Sequence, residues 1–354
     1  MQGERENTRL KARAARSNTS GRFERYAWEA EHDAWQSADD LPPVRTEVSH
    51  ERARKIITKN KSPDVPFDRS INPYRGCEHG CIYCFARPSH AYLGLSPGLD
   101  FETKLIARPD AAQVLEAELR KPSYKPEVIA IGTNTDAYQP IERDLLIMRG
   151  ILEVLQVFRH PVGIVTKGTL VERDVDILSE MSDAGLARVG ISVTTLDRDL
   201  ARRMEPRVPS PARRLATIER LATAGISVRV MVSPIIPGLT DPELEAILRA
   251  ARDAGASGAS MITLRLPLEV ASLWRDWLAE HYPARINRVM SKLREMHGGQ
   301  DYRAEWGKRM QGEGVYAQLL QDRFRRAVRQ LGLSVQLPPL RTDLFQRGDQ
   351  LSLF

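Results

Sequence analysis

Between about residue 65 and residue 270, short apolar runs alternate with longer stretches of helical periodicity. The runs at 67–72, 128–132, 162–166, 188–193, 227–232 and 259–264 are built largely from Val, Ile, Ala, Gly and Ser. Near-continuous apolar runs of this length fit strands covered on both faces, as in a parallel sheet. The stretches at 110–120, 141–158, 171–184, 212–224 and 242–254 place apolar residues at helical spacing. Three of them stop at Gly185, Gly225 and Gly255, where a left-handed cap is wanted. This alternation predicts an α/β fold, a parallel sheet clothed in helices. Six units are too few for a closed eight-stranded barrel, so a partial (β/α)6 barrel of TIM type is expected, with function at the C-terminal strand ends.

On either side of this region the pattern changes. Residues 1–60 read as a basic, loosely packed arm and linker: a helix-tolerant run from Arg9 breaks at Ser17-Asn-Thr-Ser-Gly21, Trp28 and Trp35 offer a docking stripe, and Asp39-Asp-Leu-Pro-Pro43 reads as linker. After Pro267 the chain turns helical, with amphipathic stretches at 268–281, 285–296 and 315–331. The expected division is an arm (1–60), a core barrel (65–270), a basic helical extension (271–335) and a tail (336–354).

Composition adds one asymmetry. Of 354 residues 42% are hydrophobic, enough to bury one large core with extensions. No apolar run reaches the ~18 residues of a membrane helix, and the N-terminus lacks an apolar leader. The net charge of +6 is uneven: residues 285–349 carry 13 Lys and Arg against 7 Asp and Glu, which equals the whole excess. Residues 1–22 hold 6 basic against 2 acidic groups. Basic ends around a neutral core are the footprint of a polyanionic partner or, equally, a solvated face.

All three cysteines lie in one run, Asn72-Pro-Tyr74-Arg-Gly-Cys77-Glu-His-Gly-Cys81-Ile-Tyr-Cys84. An odd number rules out a closed disulfide framework, and free thiols point to a reducing cytoplasm. Cys77, Cys81 and Cys84 with His79 or His90 would make a zinc loop. An iron–sulfur cubane, which usually takes four cysteines, would instead keep one iron open for an exchangeable ligand. Polar groups gather at the strand ends as well, in Gly132-Thr133-Asn-Thr135-Asp136-Ala-Tyr138-Gln139-Pro, Thr166-Lys167-Gly, Ser192-Val-Thr-Thr, Ser233-Pro-Ile-Ile-Pro-Gly and Leu264-Arg265-Leu-Pro. Five such ends favour a ligand site over ordinary turns.

The spacing C-x3-C-x2-C with Tyr83 before the last cysteine resembles the signature of radical S-adenosylmethionine (SAM) enzymes. With the 135–140, 166–167 and 234–238 segments, the chain over about 65–270 resembles the spore photoproduct lyase-related, DNA repair photolyase-like branch of that superfamily. The resemblance implies a 4Fe–4S cluster on Cys77, Cys81 and Cys84, with SAM on the open iron. One-electron cleavage of SAM then gives a 5′-deoxyadenosyl radical that takes a hydrogen atom from the substrate. It implies adenine contact for Tyr83, SAM amino-group contact near Thr133, Thr135 and Asp136, and contact with the SAM carboxylate and nearby polar groups for Lys167 and Ser192, while Arg265 joins them as a further cofactor candidate. Glu205-Pro-Arg207 is a weaker candidate for ribose or substrate contact, or a plain ion pair.

One departure bears on the reaction. Spore photoproduct lyase uses a further cysteine to return hydrogen, and this chain has no fourth cysteine. Tyr74, Tyr138 or the regenerated cofactor would serve instead. The expected function is a radical SAM enzyme acting on nucleic acid, with flavodoxin or ferredoxin as reductant. The alternatives are a protein or metabolite substrate, or a non-enzymatic iron–sulfur redox sensor. The ending Gln350-Leu-Ser-Leu-Phe354 resembles the peptide by which bacterial repair proteins bind the sliding clamp. The other reading is that the tail folds back on the barrel.

Overall fold

The computed structural model describes residues 12–23 and 44–347. In chain order the strands are β1 (Glu47–His50), β2 (Ile57–Lys59), β3 (Arg69–Ile71), β4 (Tyr74–Arg75), β5 (Lys104–Ala107), β6 (Ile129–Ile131), β7 (Val162–Thr166), β8 (Ala187–Ser192), β9 (Val228–Ile235) and β10 (Gly258–Thr263). The main sheet runs β10-β9-β8-β7-β6-β3-β2. Its six strands from β3 to β10 are parallel and adjacent in sequence order, while β2 joins β3 antiparallel. These six are the predicted runs, and right-handed crossovers through outer helices curve them into a partial barrel.

Two features differ from the sequence expectation. The chain does not pass straight from β3 into the cysteine loop. It first adds β4 to a small sheet of order β1-β5-β4. The apolar pattern could not signal these strands because β1 is exposed along its length and β4 has two residues. The helix expected at 141–158 is two, Glu142–Leu145 and Ile147–Val157, separated by Leu146 at φ 54°. The buried Glu142 carboxylate accepts the amides of Ile147 (3.1 Å) and Met148 (3.0 Å) and so starts the second helix itself.

The barrel stays open between β2 and β10, and loops close this seam. Asp64 accepts the Gly307 amide at 2.6 Å and pairs with Arg309, whose other nitrogen reaches Ser62 at 2.6 Å. Met310 oxygen accepts both the amide and the hydroxyl of Thr263 at the end of β10. The helices Val270–His281 and Ile286–Met296 join a second apolar cluster with Cys81, Tyr83, Leu200 and Met204, so the extension packs directly on the cysteine loop. Gly314–Gln330 turns Ala317, Leu320, Phe324, Ala327 and Val328 into the main core. No helix among the described residues is long and apolar enough to cross a membrane.

The segment after this last helix runs beneath the barrel. Ser334 bridges Gly258, Arg229 donates to Val335 oxygen at 3.0 Å, Arg188 donates to Pro338 oxygen, and Arg341 N reaches Gly185 oxygen at 2.9 Å. Phe345 lies 5.6 Å from both Tyr124 and His160, and Arg347 donates to Pro122 oxygen at 2.7 Å. The tail is therefore docked as far as Arg347. The clamp-like Gln350–Phe354, Trp28, Trp35 and the 39–43 linker lie outside the described residues. The arm also departs from expectation: Arg13, Ala14 and Ala15 are buried.

His160 couples this docking to pH. Its Nδ1 meets Pro161 oxygen at 3.0 Å and its Nε2 meets the Tyr124 hydroxyl at 2.7 Å. Burial lowers its pKa to about 4. The unfolded imidazole takes up a proton near pH ~6.5 and the folded one only near 4, so stability present above 6.5 is lost as pH falls through that window, on the order of 3 kcal/mol in total. Thermal unfolding from pH 7.5 down to 4 should show this slope. His160→Gln, whose amide oxygen keeps the Tyr124 bond without titrating, should flatten it.

Candidate functional site

The cysteine loop is a chain of tight turns. Gly80 N bonds Cys77 oxygen at 3.2 Å, Cys84 N bonds Cys81 oxygen at 3.1 Å and Arg87 N bonds Cys84 oxygen at 3.2 Å. Arg87, wholly buried, sits behind these turns and spreads its fork across Cys81 oxygen (3.0 Å), Gly80 oxygen (3.0 Å), Gly98 oxygen (2.9 Å) and Pro97 oxygen (3.1 Å). Its charge is met by the equally buried Glu102 at 2.6 Å. Glu102 in turn accepts the amides of Ala14 (3.2 Å) and Ala15 (3.0 Å), while Arg13 donates to its backbone oxygen at 2.9 Å. The N-terminal segment is thus a strap behind the loop. Gly80 explains part of the C-x3-C spacing: at φ +65° a Cβ there would stand 2.7 Å from Glu102 Oε2.

The opposite side of the loop is clamped from the segment after β6. Gln139, with no exposed surface, accepts Glu78 N at 2.8 Å and donates to Gly76 oxygen at 3.3 Å. Glu78 itself receives Thr46 (2.5 Å) and Arg207 (3.2 Å). Asp136 ties the ends of β6 and β7 together by accepting Tyr138 N (2.9 Å), Thr166 Oγ1 (2.6 Å) and Lys167 N (2.7 Å). Burial works to raise its pKa, but His79 and these donors outweigh burial and hold it at about 2. His79 Nδ1 stands 3.2 Å from Asp136, off the axis of a hydrogen bond.

Tyr83, buried, donates its hydroxyl to Glu205 and stands 3.3 Å from Thr194 Oγ1. Glu205 pairs with Arg214 at 2.8 Å, and Arg214 also holds Ser192 oxygen at 2.9 Å. Lys167 Nζ lies 5.9 Å from the Tyr83 ring centroid and 3.4 Å from Ser233 oxygen. Arg265, at the exit of β10, lies 4.1 Å from the centroid of Phe85. Strand ends β7, β8, β9 and β10 therefore all reach the cysteine loop.

The three thiols fit an iron–sulfur cluster. Cys77 and Cys81 are buried, Cys84 is half-buried, and Cys84 packs in the apolar sets of both others. Burial pushes all three thiols up; Lys167, Arg87 and Arg265 pull back on Cys84, and the first two on Cys81. Cations around buried thiols favour the thiolates a cluster requires. His90 Nε2 is spent on Lys104 oxygen at 2.9 Å and His79 faces Asp136, so neither completes a zinc site as placed. Among the described residues no three His, Cys, Asp or Glu groups converge on a single ion, whereas a cubane takes each thiolate on a different iron.

The structure brings Tyr83, Lys167, Asp136 and Arg265 to the loop but has already used several of their polar atoms. Thr135 Oγ1 bonds Tyr74 oxygen at 3.0 Å, Ser192 is buried, and Thr133 is half-buried beyond β6. Tyr74 and Tyr138, the expected hydrogen donors, point into the core instead. The Tyr74 hydroxyl donates to Glu142 and that of Tyr138 to Asp174 at 3.0 Å, with Arg173 bridging the two carboxylates at 2.8 and 3.0 Å. The sequence reading named Gln139 only within the strand-end cluster and missed Arg87, Glu102 and Arg214. Arg87 follows the last cysteine by three residues and had a local cue, but the other three meet the loop only through tertiary packing.

Comparison with known proteins matches residues 71–251 to the radical SAM superfamily. The chain is 40% identical over 243 residues to an uncharacterized protein of Mycobacterium tuberculosis, spanning 67% of this chain and 70% of that one. It is 30% identical over 199 residues to an uncharacterized protein of Methanocaldococcus jannaschii, spanning 56% and 71%. A solved structure of spore photoproduct lyase complexed with dinucleoside spore photoproduct shares the fold at a TM-score of 0.59 and 18% identity, over 82% of each chain.

Proposed function

This chain belongs to the radical SAM superfamily, and from there we propose that Cys77, Cys81 and Cys84 hold a 4Fe–4S cluster and that the enzyme acts on nucleic acid, most directly DNA. The observation carrying the cluster assignment is three buried or half-buried thiols held in one eight-residue loop that four strand ends reach, with cations beside Cys81 and Cys84. Held there by Cys77, Cys81 and Cys84, a cluster with SAM would supply the chemistry of hydrogen-atom abstraction from the substrate.

The chain's own residues do the positioning. Lys167, whose charge acts on the Cys81 thiol, suits the SAM carboxylate, and the Tyr83 ring beneath it suits the adenine. Glu205 and Thr194 hold that ring in place. Asp136 fixes the turn that presents Lys167, and Thr133, Thr135 and Ser192 shape the surrounding wall. Tyr74 and Tyr138 act as rivets behind this wall, each committed to a carboxylate. The extension seals the back of the loop through Trp274 and Trp277, which keeps water from the apolar side. A low-potential flavodoxin or ferredoxin in the reducing cytoplasm would deliver the electron.

Support for DNA comes from the fold shared with a lyase solved with a dinucleoside photoproduct, and from the charge excess in residues 285–349. The test is anaerobic SAM cleavage by the reconstituted protein with no DNA, untreated DNA and ultraviolet-irradiated DNA. DNA should accelerate 5′-deoxyadenosine formation and bind with an affinity that falls steeply with salt. If no DNA does either at low salt, the nucleic-acid part is wrong. Deuterium passing from a labelled peptide or metabolite into 5′-deoxyadenosine would establish the other substrate class.

A further inference from the structure

Phe85 immediately follows Cys84 and is 42% exposed, whereas its neighbour Tyr83 is 6% exposed. Burying a phenylalanine is strongly favourable, so one left open beside a cluster loop calls for a partner. The guanidinium of Arg265 covers the ring at 4.1 Å from its centroid, within cation–π range. With one face taken, the exposed surface of the ring belongs to its remaining face and edge.

Arg265 is itself unusual. It forms no ion pair among the described residues; burial disfavours its charge, and what supports it nearby is the Tyr302 hydroxyl and the Cys84 thiol rather than a carboxylate. The acid whose field it feels, Asp64, is occupied by Arg309 and by the Gly307 amide at 2.6 Å. A half-buried cation without a carboxylate favours an incoming anion. The same seam carries a second open aromatic: Trp306, one residue before Gly307, is 58% exposed. Open aromatics interleaved with an unpaired arginine match the chemistry of single-strand nucleic-acid sites, where bases stack on rings and cations meet phosphates.

We propose that Phe85 and Arg265 form a platform for one unstacked nucleotide at the lip of the cysteine loop, its base on the open face of Phe85 and its phosphate on Arg265. This rests on the nucleic-acid reading above and narrows it. A base within a duplex is stacked on both faces and has none to offer, so the substrate is presented single-stranded or everted. The platform also explains why the ring stays uncovered although the helical extension packs against the loop from behind.

The test is fluorescence anisotropy of the anaerobically reconstituted protein with a labelled 12-mer of thymidylate and a labelled 12-base-pair duplex at low salt. Phe85→Ala and Phe85→Leu should weaken single-strand binding roughly 5- to 150-fold and leave the duplex nearly unaffected. Phe85→Trp should restore it, which a role in merely filling space would not predict. Arg265→Gln should lower the slope of log affinity against log salt by about 0.7. Iron content and cluster absorbance equal to the parent protein separate a lost platform from a disturbed loop. The proposal is overturned if Phe85→Leu binds the single strand like the parent, if the duplex loses as much, or if SAM affinity falls instead. A parent protein that binds neither DNA overturns the nucleic-acid reading as well.

Discussion

Cys84→Ser is expected to reduce iron, sulfide and the visible cluster absorbance to background and to abolish 5′-deoxyadenosine formation. Serine keeps the volume but replaces the soft thiolate that iron–sulfur chemistry needs. Loss of a supporting group around a metal site costs ~10–100-fold. Removing one of three protein ligands should exceed that. The same result is expected for Cys77→Ser and Cys81→Ser. The folded apo-protein should survive, because burial keeps all three thiols neutral in the absence of iron, so serine adds no buried charge. Apo-protein unfolding temperatures close to the parent would verify this. A Cys84→Ser protein retaining a full, SAM-responsive cluster would refute the ligand assignment, and zinc in the purified parent would replace it.

Glu102→Gln should be the costliest single change outside the ligands. Glu102 and Arg87 are a fully buried ion pair, and the carboxylate also receives two amides from the strap. Gln keeps the shape but leaves the Arg87 charge without an anion, and breaking a buried pair from one side costs about 3–5 kcal/mol. For a chain of this size that lowers the unfolding temperature on the order of 5 °C. Because Arg87 grips the Gly80 and Cys81 carbonyls, cluster loss in air should also quicken. The double change Arg87→Met with Glu102→Met removes both charges and should recover much of the stability but not the cluster lifetime. Equal lifetimes in parent and double variant would show that the pair serves the fold alone.

These two sites differ in how they could be read. The cysteine spacing is local: three thiols within eight residues must share one loop, whatever surrounds them, so the candidate ligands were legible directly. Most of the barrel was equally legible, because strands buried on both faces tend to be apolar along their length, and β6 to β10 fall where those runs lie, while β3 is polar at two of its three residues. Glu102 and the strap were not, since 87 residues separate Ala15 from its acceptor and nothing local marks either. β1 and β4 were also silent, being exposed or two residues long.

The roles of polar side chains divide the same way. Sequence alone determined that Tyr138, Asp136 and Lys167 follow strand ends, since alternation sets where strands stop, and that Tyr74 adjoins the cysteine loop. Only the tertiary structure decided which way each side chain is committed. Glu142 and Asp174 draw the two phenols inward, and Asp136 is consumed by the Thr166 hydroxyl and the amides of Lys167 and Tyr138. Among the described residues Lys167 and Arg265 form no ion pair with a carboxylate, and Phe85 is left partly uncovered. The physical reason is that a hydrogen bond depends on what faces a group across space. Periodicity reports only whether a position is wet or dry.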